Sequence, residues 1–227
     1  MSFIAIAGNI GVGKSELSMR LATKLGWKAF LEPVAENPYL SDFYEDMARW
    51  AFPSQLFFLT QRLRQHYLLS RETGQVIQDR SVYENAEVYA RILHDKGYIT
   101  KRDWETYRSV YETLIEILPP PNLIVYLQAA VPTLWDRIAR RGRSFEQNMD
   151  TGYLQELNEL YDVWAQNQKI APLLAIKTDG LNLVDNIEHL ELVANQIIAK
   201  LPTQQLPLYQ NQPAGVAQLD SLVSKVL

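Results

Sequence analysis

The chain has 227 residues, of which 47% are hydrophobic and 21% charged, a composition typical of a globular protein with a sizeable buried core. Its formal net charge of −4 argues against a protein that binds nucleic acid in bulk, because such a domain is expected to be basic. It contains no cysteine, which excludes disulfides and thiolate metal sites, and its three histidines lack the spacing of zinc ligands. No apolar run approaches the ~20 residues of a membrane span, and no signal peptide precedes the first predicted strand. We therefore expect a cytoplasmic chain without a membrane partner.

Short apolar runs alternate with long helical stretches along the chain. This pattern is typical of a doubly wound parallel sheet with helices on both faces. Five strands are predicted, at residues 3–7, 28–31, 75–78, 123–127 and 174–177. Helices are predicted at residues 16–25, over most of 39–71, over 83–118, from 131, at 153–170 and at 184–201. The sequence then becomes polar and rich in proline, so we expect a domain of residues 1–201 and an appendage of residues 202–227 with little to bury.

The most informative motif directly follows the first predicted strand. It is the octet Gly8-Asn9-Ile10-Gly11-Val12-Gly13-Lys14-Ser15. A strand before it and a helix after it are the context that the phosphate loop G-x-x-x-x-G-K-[ST] requires. Glycines let successive N–H groups point at one anion, and the helix N-terminus adds partial positive charge. We therefore predict a nucleoside triphosphate site, with Lys14 on the outer phosphates and the Ser15 hydroxyl as a ligand of Mg²⁺.

Polar residues follow the other predicted strands at the sheet edge where doubly wound proteins bind their ligands. Glu32 follows the second strand, where it fits both a general base for an attacking hydroxyl and a solvated turn residue. Asp79 follows the third strand, where it would hold Mg²⁺ directly or through water, or else pair with Arg80. Asp179 follows the fifth strand. One site built from several strands is predicted.

An arginine-rich segment follows the fourth strand and its helix. Arg137 and Arg141 are four residues apart and share a helical face, and Gly142 offers a hinge before Arg143. A charge run of this kind is usually a solvated helix face. We favour an arginine lid that closes over the triphosphate and neutralises charge in the transition state.

A stretch rich in aromatic residues lies in the second predicted helical block. Tyr44, Gln55 and Arg62 interrupt its apolar pattern with groups that can hydrogen-bond a nucleobase or a sugar. By pattern alone these residues fit an ordinary exposed helix face better, and that interpretation is favoured without further information.

Together, these motifs resemble the deoxyribonucleoside kinase family, in particular its bacterial deoxyadenosine/deoxyguanosine kinases, over residues 1–200. The resemblance is carried by separated motifs in the right order: the phosphate loop, Glu32-Pro33-Val34, Asp79-Arg80-Ser81 and the arginine segment. It implies that Glu32 contacts the nucleoside 5′-hydroxyl and that Arg80 lies near the reacting oxygen. Either Glu32 or Asp79 would take the proton.

The resemblance also implies which residues bind the two substrates. Tyr44 and Glu146 resemble the pair that holds the sugar 3′-hydroxyl, and Gln55 with Arg62 resembles the pair that reads the base edge. The arginine segment matches the family's lid. The loop at residues 178–182, which includes Asp179, resembles the loop that contacts the adenine of the donor.

One position departs from the family pattern. Asn85 stands five residues after Arg80, where the family usually has an aspartate that partners the base-reading arginine or accepts from the base. An amide both donates and accepts, so Asn85 could rotate to suit a different base edge.

We therefore predict an ATP-dependent P-loop kinase that uses Mg²⁺ and phosphorylates the 5′-hydroxyl of a deoxynucleoside, with purines slightly favoured. Two alternatives remain: a nucleoside monophosphate kinase of the thymidylate type, and a nucleotide-dependent switch module without a small acceptor. The family resemblance also implies a homodimer, for which the long helices offer apolar faces.

Overall fold

The computed structural model of the protein describes residues 2–31, 36–146 and 149–201. These residues form a five-stranded sheet in the order β2-β3-β1-β4-β5, and all its pairings are parallel. The strands are β1 (Ser2–Gly8), β2 (Lys28–Phe30), β3 (Gln75–Asp79), β4 (Leu123–Gln128) and β5 (Leu173–Lys177). The predicted parallel sheet is therefore confirmed, strand by strand.

Helices cover both faces of the sheet. Helix α1 (Lys14–Leu25) packs against α9 (Ile187–Lys200), whereas α3 (Met47–Ser70) packs against α6 (Lys101–Ile117). Connections between parallel strands are right-handed, so their direction along the sheet decides which face the connecting helix covers. The chain first runs from β1 to β2 at one edge, and then back through β3 to β4 and β5 at the other edge, which gives one helix layer on each face. Every residue of β1 is buried, which is why this strand is apolar without alternation.

The carboxyl ends of β1, β3 and β4 lie side by side. The strand register pairs Ile6 of β1 with Asp79 of β3, and Gly8 of β1 with Leu127 of β4. The segments that leave these strands therefore start close together, at the carboxyl end of the sheet. This is the point, beside β1, where the strand order changes direction and where such sheets bind ligands.

The predicted block at residues 39–71 is mostly helical, as expected, but it consists of α2 (Leu40–Glu45) and α3. The break falls at Asp46, whose φ of −143° and ψ of 83° are not helical. Its carboxylate accepts from the Arg49 N–H (3.1 Å) and so caps α3.

The prediction of one helical block over residues 83–118 is wrong. The segment comprises α4 (Val82–Glu84), a π-helical turn (Asn85–Ala90), α5 (Arg91–Asp95) and then α6. Gly97, with φ of 76°, ends the first part, and the Thr100 hydroxyl caps α6 by accepting from the Asp103 N–H (3.2 Å). The apolar pattern does not show this turn, because buried residues continue on both sides of it.

The last part of the chain follows the predicted order. Helix α7 (Val131–Arg141) has Pro132 in its first turn, a 3₁₀ turn (Ser144–Glu146) follows, and α8 (Thr151–Asn167) precedes β5. Helix α9 begins later than predicted because the side chain of Asn186 caps it, accepting from Glu188 N–H (2.9 Å). The predicted appendage at residues 202–227 lies outside the described residues. Within them, no helix is long and apolar enough to cross a bilayer.

Candidate active site

The phosphate loop joins β1 to α1 and depends on glycine at two crowded positions. Gly8 has φ of 143°, and a Cβ there would lie 2.6 Å from the Leu127 carbonyl oxygen. Gly11 has φ of 82°, and a Cβ there would lie 2.8 Å from the Leu134 carbonyl oxygen. Any larger residue would therefore displace the loop from β4 and α7.

The lysine of the loop is folded back onto it. Lys14 Nζ donates to the carbonyl oxygens of Gly8 (2.8 Å) and Asn9 (2.9 Å), and the side chain is buried. Asn9 fixes the loop to α8 by donating to Leu154 O (3.0 Å) and to Asn158 Oδ1 (3.1 Å). The ammonium group thus lies where the backbone of the loop curls, the position from which a lysine meets phosphate oxygens.

The two predicted magnesium ligands are in direct contact. The hydroxyl of Ser15 donates to Oδ2 of Asp79, which joins the first turn of α1 to the end of β3. Asp79 is fully buried, whereas Ser15 lines the cavity described below. Hydroxyl and carboxylate oxygens are hard donors, and Mg²⁺ bound to a triphosphate needs only one or two of them from the protein.

Arg80 has an unusual backbone conformation. Its φ of 67° is in the left-handed region, which is uncommon for a residue with a side chain. Its N–H donates to Ile6 O (3.0 Å), and its guanidinium lies 4.3 Å from the ring centroid of Tyr89. The turn after β3 therefore directs the Arg80 side chain toward the edge of the sheet at which β1 ends.

Glu84 was not predicted as a site residue, yet it connects three parts of the site. Its Oε2 accepts from the Gly8 N–H (3.2 Å) and the Tyr161 hydroxyl (2.6 Å), and its Oε1 accepts from the Ser81 N–H (2.9 Å). The side chain has no exposed surface. Burial raises the pKa of Glu84, and the positive charges of Arg80 and Lys14 oppose that rise. A capping-box spacing, Ser81-x-x-Glu84, was the signal in the sequence that could have marked it.

The arginine segment after β4 folds onto a buried carboxylate. Arg141 Nη2 donates to both oxygens of Glu146 (2.7 and 2.9 Å), and Arg143 Nη1 lies 3.7 Å from Oε1 of the same group. Tyr44 stacks on Phe145, with 6.1 Å between ring centroids. Burial, and then the charge of Glu146, raise the pKa of the Tyr44 hydroxyl, so this group stays a neutral donor beside the carboxylate.

Arg137 and Asp179 bond to backbone and neighbouring side chains of the site. The Arg137 guanidinium donates to the carbonyl oxygens of Val12 (3.1 Å) and Leu181 (3.3 Å) and to the hydroxyl of Thr178 (3.0 Å). Asp179 Oδ1 accepts from the Ala130 N–H (2.8 Å) and the Thr133 hydroxyl (2.7 Å). These two hydrogen bonds, the backbone bond first, lower the pKa of Asp179. Arg137 therefore ties α7 and the loop after β5 to the phosphate loop, and Asp179 ties the loop after β5 to the start of α7.

The interpretation from pattern alone, that Gln55 and Arg62 lie on an exposed helix face, is wrong. Only 3% of Gln55 and 1% of Arg62 is exposed, because α3 turns this side toward the sheet edge and α6. Arg62 Nε donates to Asn85 Oδ1 (3.2 Å), and Asn85 Nδ2 donates to the Tyr107 hydroxyl (2.8 Å). Burial raises the pKa of Tyr107, which keeps its hydroxyl neutral. Gln55 Oε1 is buried and accepts no hydrogen bond from the described residues.

One cavity of about 640 Å³ connects these groups. The predicted site residues that line it are Ile10, Gly11, Val12, Gly13, Lys14, Ser15, Tyr44, Gln55, Arg80, Asn85, Arg137, Arg141, Arg143, Glu146 and Asp179. Gly8, Asn9, Arg62 and Asp79 lie behind this wall, each hydrogen-bonded to a residue that lines it. The predicted base Glu32 lies outside the described residues.

Two tyrosines on the cavity wall were also not predicted. Tyr89 and Tyr153 both line the cavity and are almost fully buried. Both belong to helical blocks in which aromatic residues are common, so no spacing or motif distinguished them from core residues.

Comparison with known proteins agrees with this geometry. A family model described as deoxynucleoside kinase matches residues 4–201. A deoxyadenosine/deoxycytidine kinase of Bacillus subtilis is 34% identical over 90% of this chain and 95% of its own length. A deoxyguanosine kinase of the same organism is 37% identical over 86% of this chain and 95% of its own length. The chain belongs to the deoxynucleoside kinase family.

Solved structures give the same result. A deoxyadenosine kinase from M. mycoides with the products dCMP and dCDP bound superposes with a TM-score of 0.76 at 30% identity. The match covers 87% of this chain and 99% of that one. The protein is thus a nucleotide-binding kinase with a deoxynucleoside as acceptor, rather than a thymidylate-type kinase or a switch module.

Proposed function

We propose that the protein transfers the γ-phosphoryl group of ATP to the 5′-hydroxyl of a deoxynucleoside and favours purines. The observation that carries this proposal is the single cavity of about 640 Å³, which has the phosphate loop in one part of its wall and Tyr44, Gln55 and Glu146 in another. A cavity of this size holds a ligand of nucleotide size and brings donor and acceptor into contact. Positioning and electrostatics then supply most of the catalysis, because the transition state is loose and its negative charge is spread.

The phosphate loop and the lid bind the triphosphate. Lys14 exchanges its bonds to the Gly8 and Asn9 carbonyls for bonds to phosphate oxygens, while Arg141 and Arg143 approach from the opposite side. Ser15 and Asp79 are the residues that would hold Mg²⁺, which neutralises phosphate charge when it is bound with ATP.

Glu32 is the general base in this proposal. Asp79 is buried and accepts from Ser15, an arrangement suited to a metal ligand rather than to proton transfer. Of the two candidate carboxylates, that leaves Glu32 to accept the proton of the 5′-hydroxyl, while Arg80 stabilises charge near the reacting oxygen.

Tyr44 and Glu146 bind the 3′-hydroxyl of the sugar. Glu146 is 3% exposed and accepts from Arg141, so the same carboxylate that meets the sugar also orients a lid arginine. The neutral Tyr44 hydroxyl donates, and the carboxylate accepts, which matches a sugar hydroxyl that does both.

Gln55, Arg62 and Asn85 form the base end. Gln55 Oε1 lacks a donor from the described residues, so a base that brings an N–H to it relieves the cost of a buried, unpaired acceptor. A glutamine matches the N6 and N7 atoms of adenine, while Arg62 orients Asn85 from behind the cavity wall. Gln55 therefore supports a preference for purines, and relatives are named for deoxyadenosine, deoxyguanosine and deoxycytidine.

Comparing the four deoxynucleosides and the monophosphate dTMP as acceptors tests the proposal. The purified protein is incubated with ATP, Mg²⁺ and each acceptor, and the products are separated and identified by mass. We expect 5′-monophosphates from deoxyadenosine and deoxyguanosine at the highest rates and no diphosphate from dTMP. Phosphorylation of dTMP alone would refute the proposed acceptor.

A homodimer is the proposed assembly. Tyr67 and Leu68 near the end of α3, and Val110 and Ile117 on α6, are exposed apolar side chains on two helices that pack together. Exposed apolar side chains on neighbouring helices suit an interface with a second copy. Sedimentation equilibrium should give twice the chain mass of 26.1 kDa.

A further inference from the structure

We propose that Glu84 is a positioning residue that fixes the first glycine of the phosphate loop relative to the turn that carries Arg80. This role rests on the proposed transfer reaction but concerns a residue that touches neither substrate, since Glu84 does not line the cavity. It therefore acts through its neighbours.

The hydrogen bonds of Glu84 define the role. One carboxylate oxygen accepts from the Gly8 N–H (3.2 Å), at the point where β1 becomes the phosphate loop. The other accepts from the Ser81 N–H (2.9 Å), directly after Arg80. Gly8 and Ser81 thus share one rigid group, although they are separated by 73 positions in the printed sequence.

A third donor joins this group to α8. The Tyr161 hydroxyl donates to the Oε2 atom that also accepts from Gly8 (2.6 Å). Tyr161 is itself fully buried and lies on the helix that follows the lid segment. The carboxylate therefore holds the phosphate loop, the arginine turn and the helix behind the lid in one arrangement.

The charge of Glu84 matters as well as its shape. A buried carboxylate is costly unless it is compensated, and three hydrogen bonds together with the nearby cations Lys14 and Arg80 compensate it. Both cations are assigned to the transferred phosphoryl group. A fixed negative charge behind them keeps them in place when the cavity is empty and leaves their donors available for the more highly charged triphosphate.

Replacing Glu84 by glutamine tests this role with little change in volume. The amide has only one oxygen, so its NH₂ group would face either the Gly8 or the Ser81 N–H, and one of the two bonds must break. We expect the kcat of Glu84→Gln to fall roughly 10- to 100-fold, since small displacements of reacting groups have effects of this size. The KM for the deoxynucleoside should stay within about twofold, because the base and sugar pockets are unchanged.

Glu87 provides a matched control three residues along the chain. Its carboxylate also accepts two hydrogen bonds, from the Tyr111 hydroxyl (2.8 Å) and Trp164 Nε1 (2.9 Å), but it contacts neither Gly8 nor Ser81. Glu87→Gln should therefore lower the melting temperature without lowering kcat. An equal loss of kcat in both variants, or a normal kcat in folded Glu84→Gln, would overturn the positioning role.

A second variant decides the matter if Glu84→Gln does not fold. Tyr161→Phe removes the donor that shares Oε2 with the Gly8 N–H, so the carboxylate is held less firmly against the phosphate loop. A fall in kcat of about threefold or more at unchanged KM supports the role, and an unchanged kcat contradicts it. The rate of phosphoryl transfer to deoxyadenosine is first measured for the wild-type protein. If the wild-type protein transfers no phosphoryl group, the proposed function is wrong and the role of Glu84 is not what has failed.

Discussion

The residue at position 85 determines the charge beside Arg62, the arginine proposed for the base end of the cavity. Asn85 is neutral, and its amide is already oriented, because its oxygen accepts from Arg62 and its nitrogen donates to Tyr107. The aspartate that the family usually has here would instead place a negative charge next to the guanidinium. With asparagine, this end of the cavity is more positive than it would be with aspartate, so we expect it to favour base edges rich in acceptors.

Restoring the aspartate should change the order of preferred bases. In Asn85→Asp, a buried carboxylate accepts from exocyclic amines more strongly than an amide oxygen does. We expect the relative kcat/KM for deoxyadenosine and deoxycytidine over deoxyguanosine to rise roughly tenfold, equivalent to about 1.4 kcal/mol. Competition among the four deoxynucleosides measures it, and Asn85→Ala is the uncharged control. The same ratio in all three proteins would contradict the assignment.

Glu146 should control discrimination at the sugar. Removing its carboxylate in Glu146→Ala removes the acceptor proposed for the 3′-hydroxyl and also releases Arg141. The advantage of deoxyadenosine over its 3′-deoxy analogue in kcat/KM should shrink by roughly tenfold or more. Glu156→Ala, which removes an exposed ion pair with Lys96, is the control. Full discrimination in Glu146→Ala would mean that another group recognises the sugar.

At the scale of whole elements, Arg137 links the phosphate loop to the loop after β5. Its donors reach carbonyls in both segments, so α7 holds the two in register. The arginine was predicted to act on the triphosphate as part of a lid. Its bonds to backbone support a role in shaping the donor site in addition to any contact with phosphate.

Loss of the Arg137 link should weaken donor binding more than acceptor binding. In Arg137→Met the aliphatic stem remains, but the bonds to Val12, Thr178 and Leu181 are lost. We expect the KM for ATP to rise roughly tenfold, and the KM for the deoxynucleoside to change by less than about twofold. Arg108→Met, at an exposed arginine on α6, is the control. Equal changes in both KM values would indicate general damage to the fold.

The elements also show what a sequence can and cannot predict. Strands β1 and β4 were the most readily predictable, because a buried parallel strand is a short, continuous apolar run. The phosphate loop was predictable because Gly8 and Gly11 are fixed by local crowding. The turn at Gly97 was missed because buried residues lie on both sides of it.

Burial of polar groups depends on tertiary packing, which no local pattern contains. Gln55 and Arg62 looked like an exposed helix face, because their spacing says nothing of the element that covers them. Glu84 was missed for a related reason, since two of its partners, Gly8 and Tyr161, are distant in the chain. Only the nearby Ser81 left a recognisable spacing.

At the scale of the whole molecule, a buried histidine is expected to make the fold less stable in acid. His66 on α3 is fully buried, and its Nε2–H donates to the Pro119 carbonyl just beyond α6 (2.8 Å). It packs against the rings of Phe3 and Tyr83, and its Nδ1 atom is buried without a hydrogen-bond partner among the described residues. Burial lowers the pKa of His66 below its ordinary value of 6.5.

Stability should therefore fall with pH below the ordinary histidine value. In the unfolded chain His66 is protonated near pH 6.5, whereas in the folded chain it stays neutral to a lower pH. Its contribution to the free energy of unfolding is therefore complete above pH 6.5 and is lost as the pH falls toward the folded pKa. The melting temperature should drop between pH 7 and pH 5, and His66→Phe should flatten this slope. Since the raised pKa of Glu84 acts in the opposite direction, the difference between the two proteins isolates His66. Parallel slopes would show that His66 does not titrate in this window.

A crystal structure with a deoxynucleoside and a non-hydrolysable ATP analogue bound together tests the proposed function most directly. We expect the 5′-oxygen to lie within about 3.5 Å of the γ-phosphorus. We also expect Lys14 and Arg141 to contact the phosphates, Glu146 to contact the 3′-hydroxyl, and Gln55 to contact the base. Two ligands in separate pockets, or a nucleoside base placed away from Gln55, would contradict the proposed function.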